Sequence, residues 1–212
     1  IKLKNLKKIN GKSLVGIAAK FCKNLKIFDK CIISTDHDLI GKEGRANGLE
    51  YFFKRPKSLS GSFVADEKVL RHALIKAEKY YKLKFDILVS LPPTSPLRKK
   101  IDIVEAIKKL INYKHDSVWT LSETDSKSHP LKQLVIKKNN IKFYNKKGKS
   151  IVARQQLSRV YHRNGSAYVI MRNVLLDKKK LFTNNTGFII TKGKQISIDT
   201  YDDIKFAAKY FK

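Results

Sequence analysis

The sequence predicts an α/β fold: three layers, with a doubly wound, mainly parallel sheet between helices. Three observations carry this. Short apolar runs alternate with stretches at helical spacing in a β-α-β-α-β rhythm. The strand candidates are continuous apolar segments, as strands buried on both faces are. A chain of 212 residues, 42% of them hydrophobic, suffices for one domain with a real core, so 1–212 is read as a single domain.

The elements follow in order. Ser13 to Lys23 has Leu14, Ile17, Ala18 and Phe21 on one helical face. Cys31 to Thr35 reads as a short buried strand. Thr35-Asp36 offers N-cap chemistry for a helix over Leu39 to Asn47, which Gly48 stops. Glu50 to Phe53 reads as another strand. Asp66 to Tyr81 is the clearest helix, with Val69, Leu70, Ala73, Leu74, Ala77 and Tyr81 at 3-4 spacing. A strand over Asp86 to Leu91 ends in Pro92-Pro93-Thr94-Ser95-Pro96. A helix over Ile101 to Asn112 and a strand over Ser117 to Ser122 come next. The rhythm then breaks. From Ser126 to Arg163 the chain is rich in Lys and Asn, and the apolar runs flanking Asn139-Asn140 predict a hairpin outside the main sheet. Gly165 to Met171 returns to a buried strand, and Tyr201 to Phe211 closes as a helix.

Charge is the loudest compositional feature, with 46 Lys+Arg against 18 Asp+Glu, formally +28. Such an excess is the usual footprint of a polyanion partner, so a basic nucleic-acid-binding protein is the competing reading. It is discounted because 38 of the cations are Lys and only 8 are Arg, the residue better suited to specific base and phosphate recognition. Abundant Lys and Ile with scarce Gly and Pro fit compositional drift of an AT-rich genome instead. No apolar run approaches the length of a membrane span, so no membrane partner is expected. Two cysteines, Cys22 and Cys31, argue against a disulfide scaffold and for a cytoplasmic setting. The five histidines are scattered, most of them read as polar surface positions, and neither they nor the cysteines have metal-ligand spacing.

Open parallel sheets bind ligands beyond the carboxyl ends of their strands. The segments expected there carry hydroxyls, guanidinium groups and a carboxylate: Ser34-Thr35-Asp36, Pro92 to Arg98, Arg154-Gln155-Gln156 with Asn164-Gly165, and Ser197-Ile198-Asp199-Thr200. Thr35-Asp36 and Asp199-Thr200 have an ordinary reading as helix caps. Together, the segments fit a phosphorylated ligand better than any one does alone.

These pieces resemble, in order, the acylneuraminate cytidylyltransferases, which include synthetases of CMP-sialic, CMP-legionaminic and CMP-pseudaminic acids. The matching runs are Leu3-Lys4-Asn5-Leu6, Asn10-Gly11-Lys12-Ser13-Leu14, Ile33-Ser34-Thr35-Asp36, Lys54-Arg55-Pro56, Leu91-Pro92-Pro93-Thr94-Ser95-Pro96-Leu97-Arg98, His129-Pro130-Leu131-Lys132, Arg154-Gln155-Gln156-Leu157, Asn164-Gly165-Ser166-Ala167-Tyr168 and Ile198-Asp199-Thr200 with Asp202. The resemblance implies a Rossmann-like fold of the nucleotide-diphospho-sugar transferase type. It implies that the anomeric hydroxyl of a nonulosonic acid attacks the α-phosphorus of CTP, giving a CMP-sugar and pyrophosphate. Lys4 and Asn5 match triphosphate-binding positions and Arg55 the cytidine side. Thr94, Ser95, Lys132, Arg154, Asn164 and Tyr168 match the sugar side, and Asp199 matches a Mg²⁺ ligand. Lys4 and Asp199 are therefore the expected catalytic residues. The 126–163 excursion is the implied dimerisation segment of a homodimer.

Three departures accompany the match. The family opens with a strand and a glycine/serine-rich phosphate loop, whereas this sequence starts just before Lys4, so that strand and loop are expected to be missing. Pro92 stands where the family usually has a sugar-contacting Gln. Ser197-Ile198-Asp199 replaces the usual Asp-x-Asp, leaving Asp202 or the phosphates to complete a metal shell. These departures motivate a further alternative, a degenerate homologue that binds nucleotide without turnover.

Overall fold

Three strands of the central sheet run one way and one runs against them. In the computed structural model, which describes residues 1–211, the strand order is β3 (Ile87–Ser90), β7 (Tyr161–Met171), β4 (Ser117–Glu123), β8 (Thr186–Ile190). β3 pairs antiparallel with β7, Ile87 opposite Met171 and Ser90 opposite Tyr168. β4 also opposes β7: Met171 N donates to Asp116 O at 3.1 Å, while Thr120 meets Ala167 further along. β8 starts where β4 starts, Asp116 N donating to Asn185 O at 3.0 Å, and Thr191, just past its end, reaches Asn164. The sheet is mainly parallel, as expected. The carboxyl ends of β3, β4 and β8 share one edge with the start of β7's buried stretch.

Residues Ile1–Thr120 together with those from Asn164 onward form one compact unit. Its helices are α1 (Leu14–Leu25), α2 (Asp38–Ala46), α3 (Asp66–Tyr81), α4 (Lys100–Asn112) and α5 (Tyr201–Tyr210). Each is close to the range its periodicity predicts. α1 starts because Ser13 Oγ accepts from Gly16 N at 3.0 Å, and it buries Leu14, Val15, Ile17, Ala18 and Ala19. α5 starts with a reciprocal box: Thr200 Oγ1 accepts from Asp203 N, and Asp203 Oδ2 accepts from Thr200 N at 2.7 Å. Buried clusters lie along both helix layers. One joins Ala106 and Leu110 of α4 to Val118 and Val169, and another joins Leu74 of α3 to Ile170 and Leu175.

Four expectations change. Cys31–Thr35 and Glu50–Phe53 are not strands but one parallel bridge, Ile32 with Glu50. Only Ile33 N to Glu50 O and Glu50 N to Cys31 O are made there, too few rungs for a ladder despite strand-like side chains. Thr35-Asp36 does not cap α2; His37 holds that position, and Thr35 Oγ1 accepts from His37 N instead, closing the turn one step earlier. An unforeseen hairpin joins β1 (Lys8–Ile9) to β2 (Lys12–Ser13). Its turn is Asn10-Gly11 with φ of 47° and 79°, the left-handed pair that favours this dipeptide. β8 is the fourth; its signal was Gly187-Phe188-Ile189-Ile190, behind an Asn-rich turn.

Leu121–Arg163 form the second unit, beginning at Leu121 rather than at the expected Ser126. Its hairpin pairs β5 (Leu134–Lys137) with β6 (Asn140–Phe143), Leu134 opposite Phe143 and Ile136 opposite Ile141. The period-two rule puts those four apolar side chains on one face. All four are exposed, Ile136 and Ile141 by 80% and 67%. Gly148 is buried at the foot of the hairpin, where a Cβ would strike the Leu131 carbonyl and come within 2.7 Å of the Phe143 ring.

Candidate active site

The edge formed by the carboxyl ends of β3, β4 and β8 carries most of the predicted residues. Lys4, on a short 3-10 turn, places Nζ 2.8 Å from Asp199 Oδ1, joining two side chains 195 positions apart. Asp199 lies in the loop between β8 and α5. Its position follows from its neighbour: Ile198 is fully buried against Ile9, Leu14 and Ile17, and its N–H donates to Thr94 O at 2.9 Å. The Asp199 carboxylate itself stays largely in solvent. The Lys4 ammonium holds it below the usual carboxylate range, with a hydrogen bond from Ser197 assisting. Asp203 is likewise lowered, by the backbone N–H groups of Asp199 and Thr200 that it accepts. Asp202 points elsewhere, pairing with Lys205 at 3.2 Å.

The turn after β3 is built from its own backbone. Ser95 is buried, and its Oγ donates to Asn164 O at 3.3 Å. The buried Arg98 guanidinium grips the same turn, donating to the carbonyls of Ser95 and Pro92. Burial pulls its pKa down to about 10, which leaves it charged at neutral pH. Thr94 contributes the carbonyl that anchors Ile198.

Asn164 is buried, its side chain spent on protein partners: Oδ1 accepts from Thr120 Oγ1 and Ser166 N, and Nδ2 donates to Thr191 Oγ1. Tyr168, opposite Ser90, sets its ring edge-on to Trp119 at 5.3 Å and joins the apolar cluster of Leu74 and Ile170. Arg55 is bracketed by Asp36 at 3.3 Å and Ser60 Oγ at 3.3 Å, while its own N–H donates to Thr35 O. Asn5 sits half-buried beside Lys4 on the same turn.

Lys132 and Arg154 belong to the second unit, each exposed on a 3-10 turn. The Lys132 turn is capped by His129, whose Nδ1 accepts from Leu131 N while Nε2 faces Ser158 O at 3.2 Å. His129 is buried, an exception to the surface placement expected of most of the histidines, and both its ring nitrogens find backbone partners. Gln156 Oε1 holds the Arg154 turn by accepting from Val152 N and Ala153 N. Sequence reasoning did not single out Thr120, Thr191 or Gln195, which complete the bonding around Asn164 and Ser166. Isolated Thr and Gln carry no local signature.

Among the described residues, no group of three or more His, Cys, Asp or Glu side chains could hold a metal ion. No helix there is long and apolar enough to cross a membrane.

A family model described as cytidylyltransferase matches residues 1–209. The chain belongs to the cytidylyltransferase family. Family members similar to it include post-translational flagellin modification protein B of Campylobacter coli, 32% identical over 206 residues, covering 97% of this chain and 86% of that one. CMP-N,N'-diacetyllegionaminic acid synthase of Campylobacter jejuni is 31% identical over the same shares of each chain. Among solved structures, CMP:2-keto-3-deoxy-manno-octonic acid synthetase complexed with CTP superposes with a TM-score of 0.68 at 13% identity, over 98% of this chain and 90% of that one. That similarity shows the nucleotide-diphospho-sugar transferase fold, in agreement with the sequence.

Proposed function

We propose that the protein couples CTP to a nonulosonic, sialic-acid-like sugar, releasing pyrophosphate and a CMP-sugar. The observation that carries this reading is the Lys4–Asp199 pair at the strand edge of a cytidylyltransferase fold. Nucleotidyl transfer at a triphosphate needs a cation for the phosphate oxygens and a carboxylate for a divalent metal. Both stand here within one hydrogen bond. The sugar's anomeric oxygen forms the new bond to the α-phosphorus as the bond to the leaving pyrophosphate breaks, and the hydroxyl proton passes to solvent.

The residues fit Mg²⁺ at the level of one carboxylate. Mg²⁺ commonly takes one or two carboxylates plus substrate phosphates and water. Asp199 is the exposed carboxylate beside the Lys4 cation, whereas Asp203 is committed to its cap and Asp202 is turned toward Lys205. When bound, Mg²⁺ supplies charge neutralisation at the phosphates. Lys4, with Asn5 beside it, holds the triphosphate. Arg55, fixed by Asp36 and Ser60, faces the cytidine. Thr94 and Tyr168 belong to the sugar side, and the buried Ser95, its hydroxyl spent on Asn164 O, shapes the turn that carries Thr94.

The second unit serves a homodimer. The exposed Leu134, Ile136, Ile141 and Phe143 face of its hairpin supports this, since a monomer rarely leaves such a face in water. Lys132 and Arg154 are the cations it offers to the sugar carboxylate. The setting is cytoplasmic.

The test is pyrophosphate release from CTP and Mg²⁺ with N-acetylneuraminic, legionaminic or pseudaminic acid. Release that depends on one of these sugars is expected. CTP binding by calorimetry with no release for any sugar would instead favour a nucleotide-binding homologue without turnover. Steeply salt-dependent binding to arbitrary DNA, with no CTP binding, would favour the nucleic-acid reading.

A further inference from the structure

We propose that Asn164 is a positioning residue. Its buried amide ties the carboxyl ends of β4 and β8 to the start of β7's buried stretch, and through Thr191 and Gln195 it sets the loop that carries Asp199.

The hydrogen bonds are specific. Asn164 Oδ1 accepts from Thr120 Oγ1 at 2.8 Å and from Ser166 N at 3.0 Å, filling both lone pairs. Its Nδ2 donates to Thr191 Oγ1 at 2.8 Å, at the end of β8. The Ser166 N–H faces the oxygen, which fixes which end of the amide is which. Ser166 Oγ then donates to Gln195 Oε1 at 2.9 Å, inside the loop. The backbone takes part as well: Asn164 O accepts from Ser95 Oγ, and the carbonyl of the adjacent Thr94 anchors Ile198. One residue thus joins four segments that the chain order keeps apart. Asn164, Thr120, Ser166 and Thr191 are all buried, so each lost partner would leave a polar group stranded.

Gly165, next in sequence, has φ of +67°, and a Cβ there would sit 3.1 Å from Ser95 Oγ. The backbone is bent so that Asn164 turns inward while Ser95 approaches its carbonyl. The loop from 192 to 199 is otherwise exposed apart from Gln195, Ile196 and Ile198. Its two fixed ends are Thr191, held by Asn164, and Ile198, held by Thr94 and the core. Reaction rates are sensitive to small displacements of a metal or phosphate ligand, so loosening one end of this loop acts on Asp199 without touching substrate.

The kinetic consequence rests on the cytidylyltransferase reading; the structural consequence does not. The test uses Asn164→Asp, Thr191→Val, Thr191→Ser and Gln195→Met. Two readouts are taken: kcat and sugar KM from pyrophosphate release, and amide hydrogen exchange of residues 192–199. Asn164→Asp and Thr191→Val are each expected to lower kcat about tenfold, with sugar KM within about twofold. Their double variant should be no worse than either alone, and Thr191→Ser should restore kcat. Exchange over 192–199 should rise about tenfold in both single variants. Gln195→Met, at a half-buried site, should act in the same direction more weakly and serves if Thr191→Val does not fold. A raised sugar KM in Asn164→Asp, with Thr191→Val and Gln195→Met unchanged in rate and exchange, would overturn the proposal and make Asn164 a direct substrate contact. If the unaltered protein releases no pyrophosphate, the functional reading fails alone and the exchange measurement still decides this one.

Discussion

The sheet edge and the 121–163 unit both carry predicted substrate-side residues, but they hold them in opposite ways. At the edge, Lys4 meets Asp199 and Ser95 meets Asn164 across 195 and 69 positions in sequence, and the Asn164 amide joins β7 to β4 and to the end of β8 through Thr120 and Thr191, 44 and 27 positions away. In the second unit, Lys132 and Arg154 ride on 3-10 turns held by bonds to residues no more than 29 positions away, such as His129 to Ser158. At the edge, Thr120, Asn164, Ser166 and Thr191 are buried and joined by side-chain hydrogen bonds, while Lys4 and Asp199 meet where solvent reaches them. The hairpin exposes its apolar groups and leaves them uncovered. The difference teaches where organisation comes from. The edge is assembled by folding itself, whereas the second unit presents an apolar hairpin face to solvent, the face that the proposed homodimer would cover.

The sharpest way to break that contrast is at Asp199. Asp199→Ala should lower kcat by about 10²–10³-fold, read as pyrophosphate release, because it removes the one exposed carboxylate beside Lys4. A loss under tenfold would remove Asp199 from the metal role. The second unit should respond through assembly instead. Ile136→Asp with Ile141→Asp puts charge on its apolar face and should weaken self-association at least about tenfold by sedimentation, with circular dichroism unchanged. An unaltered dimer would show that this face is not the interface.

A smaller effect tests the first unit's own frame. Glu78 receives two hydrogen bonds from Arg172, at 2.6 and 2.9 Å, and one from Phe85 N. Glu78→Gln should cost about 1–3 kcal/mol in urea denaturation at neutral pH. Arg172 holds the Glu78 carboxyl below its usual range, so the pair's contribution is fully present above the unfolded value of about 4.3. It is lost as pH falls through the lower folded value. The stability gap between the two proteins should therefore close on acidification below about pH 4; a gap that stays constant would contradict the ion-pair account. The smallest effect is expected at Asp202→Ala, within about twofold in kcat, since an exposed pair with Lys205 contributes little. A loss equal to that of Asp199→Ala would make Asp202 a metal ligand.

Much of this was legible beforehand because helices announce themselves locally. The 3-4 apolar spacing of Asp66–Tyr81 predicts α3 to the residue, and Thr200 before Asp203 marks the start of α5. The motif runs also located Lys4 and Asp199 as separate candidates. Strands were less legible, since a strand exists only through its neighbours. Cys31–Thr35 has the composition of a strand yet makes one bridge, while β8 completes the sheet from a segment outside the predicted strands. The sequence by itself determined the α/β alternation, the break in rhythm before Arg163 and the residue types needed for phosphate chemistry, all encoded in short-range pattern. Only the tertiary structure decided that Lys4 meets Asp199, that His129 is buried and that Asn164 serves the protein interior. Those outcomes depend on which distant backbone groups lie within hydrogen-bond reach once the sheet has formed.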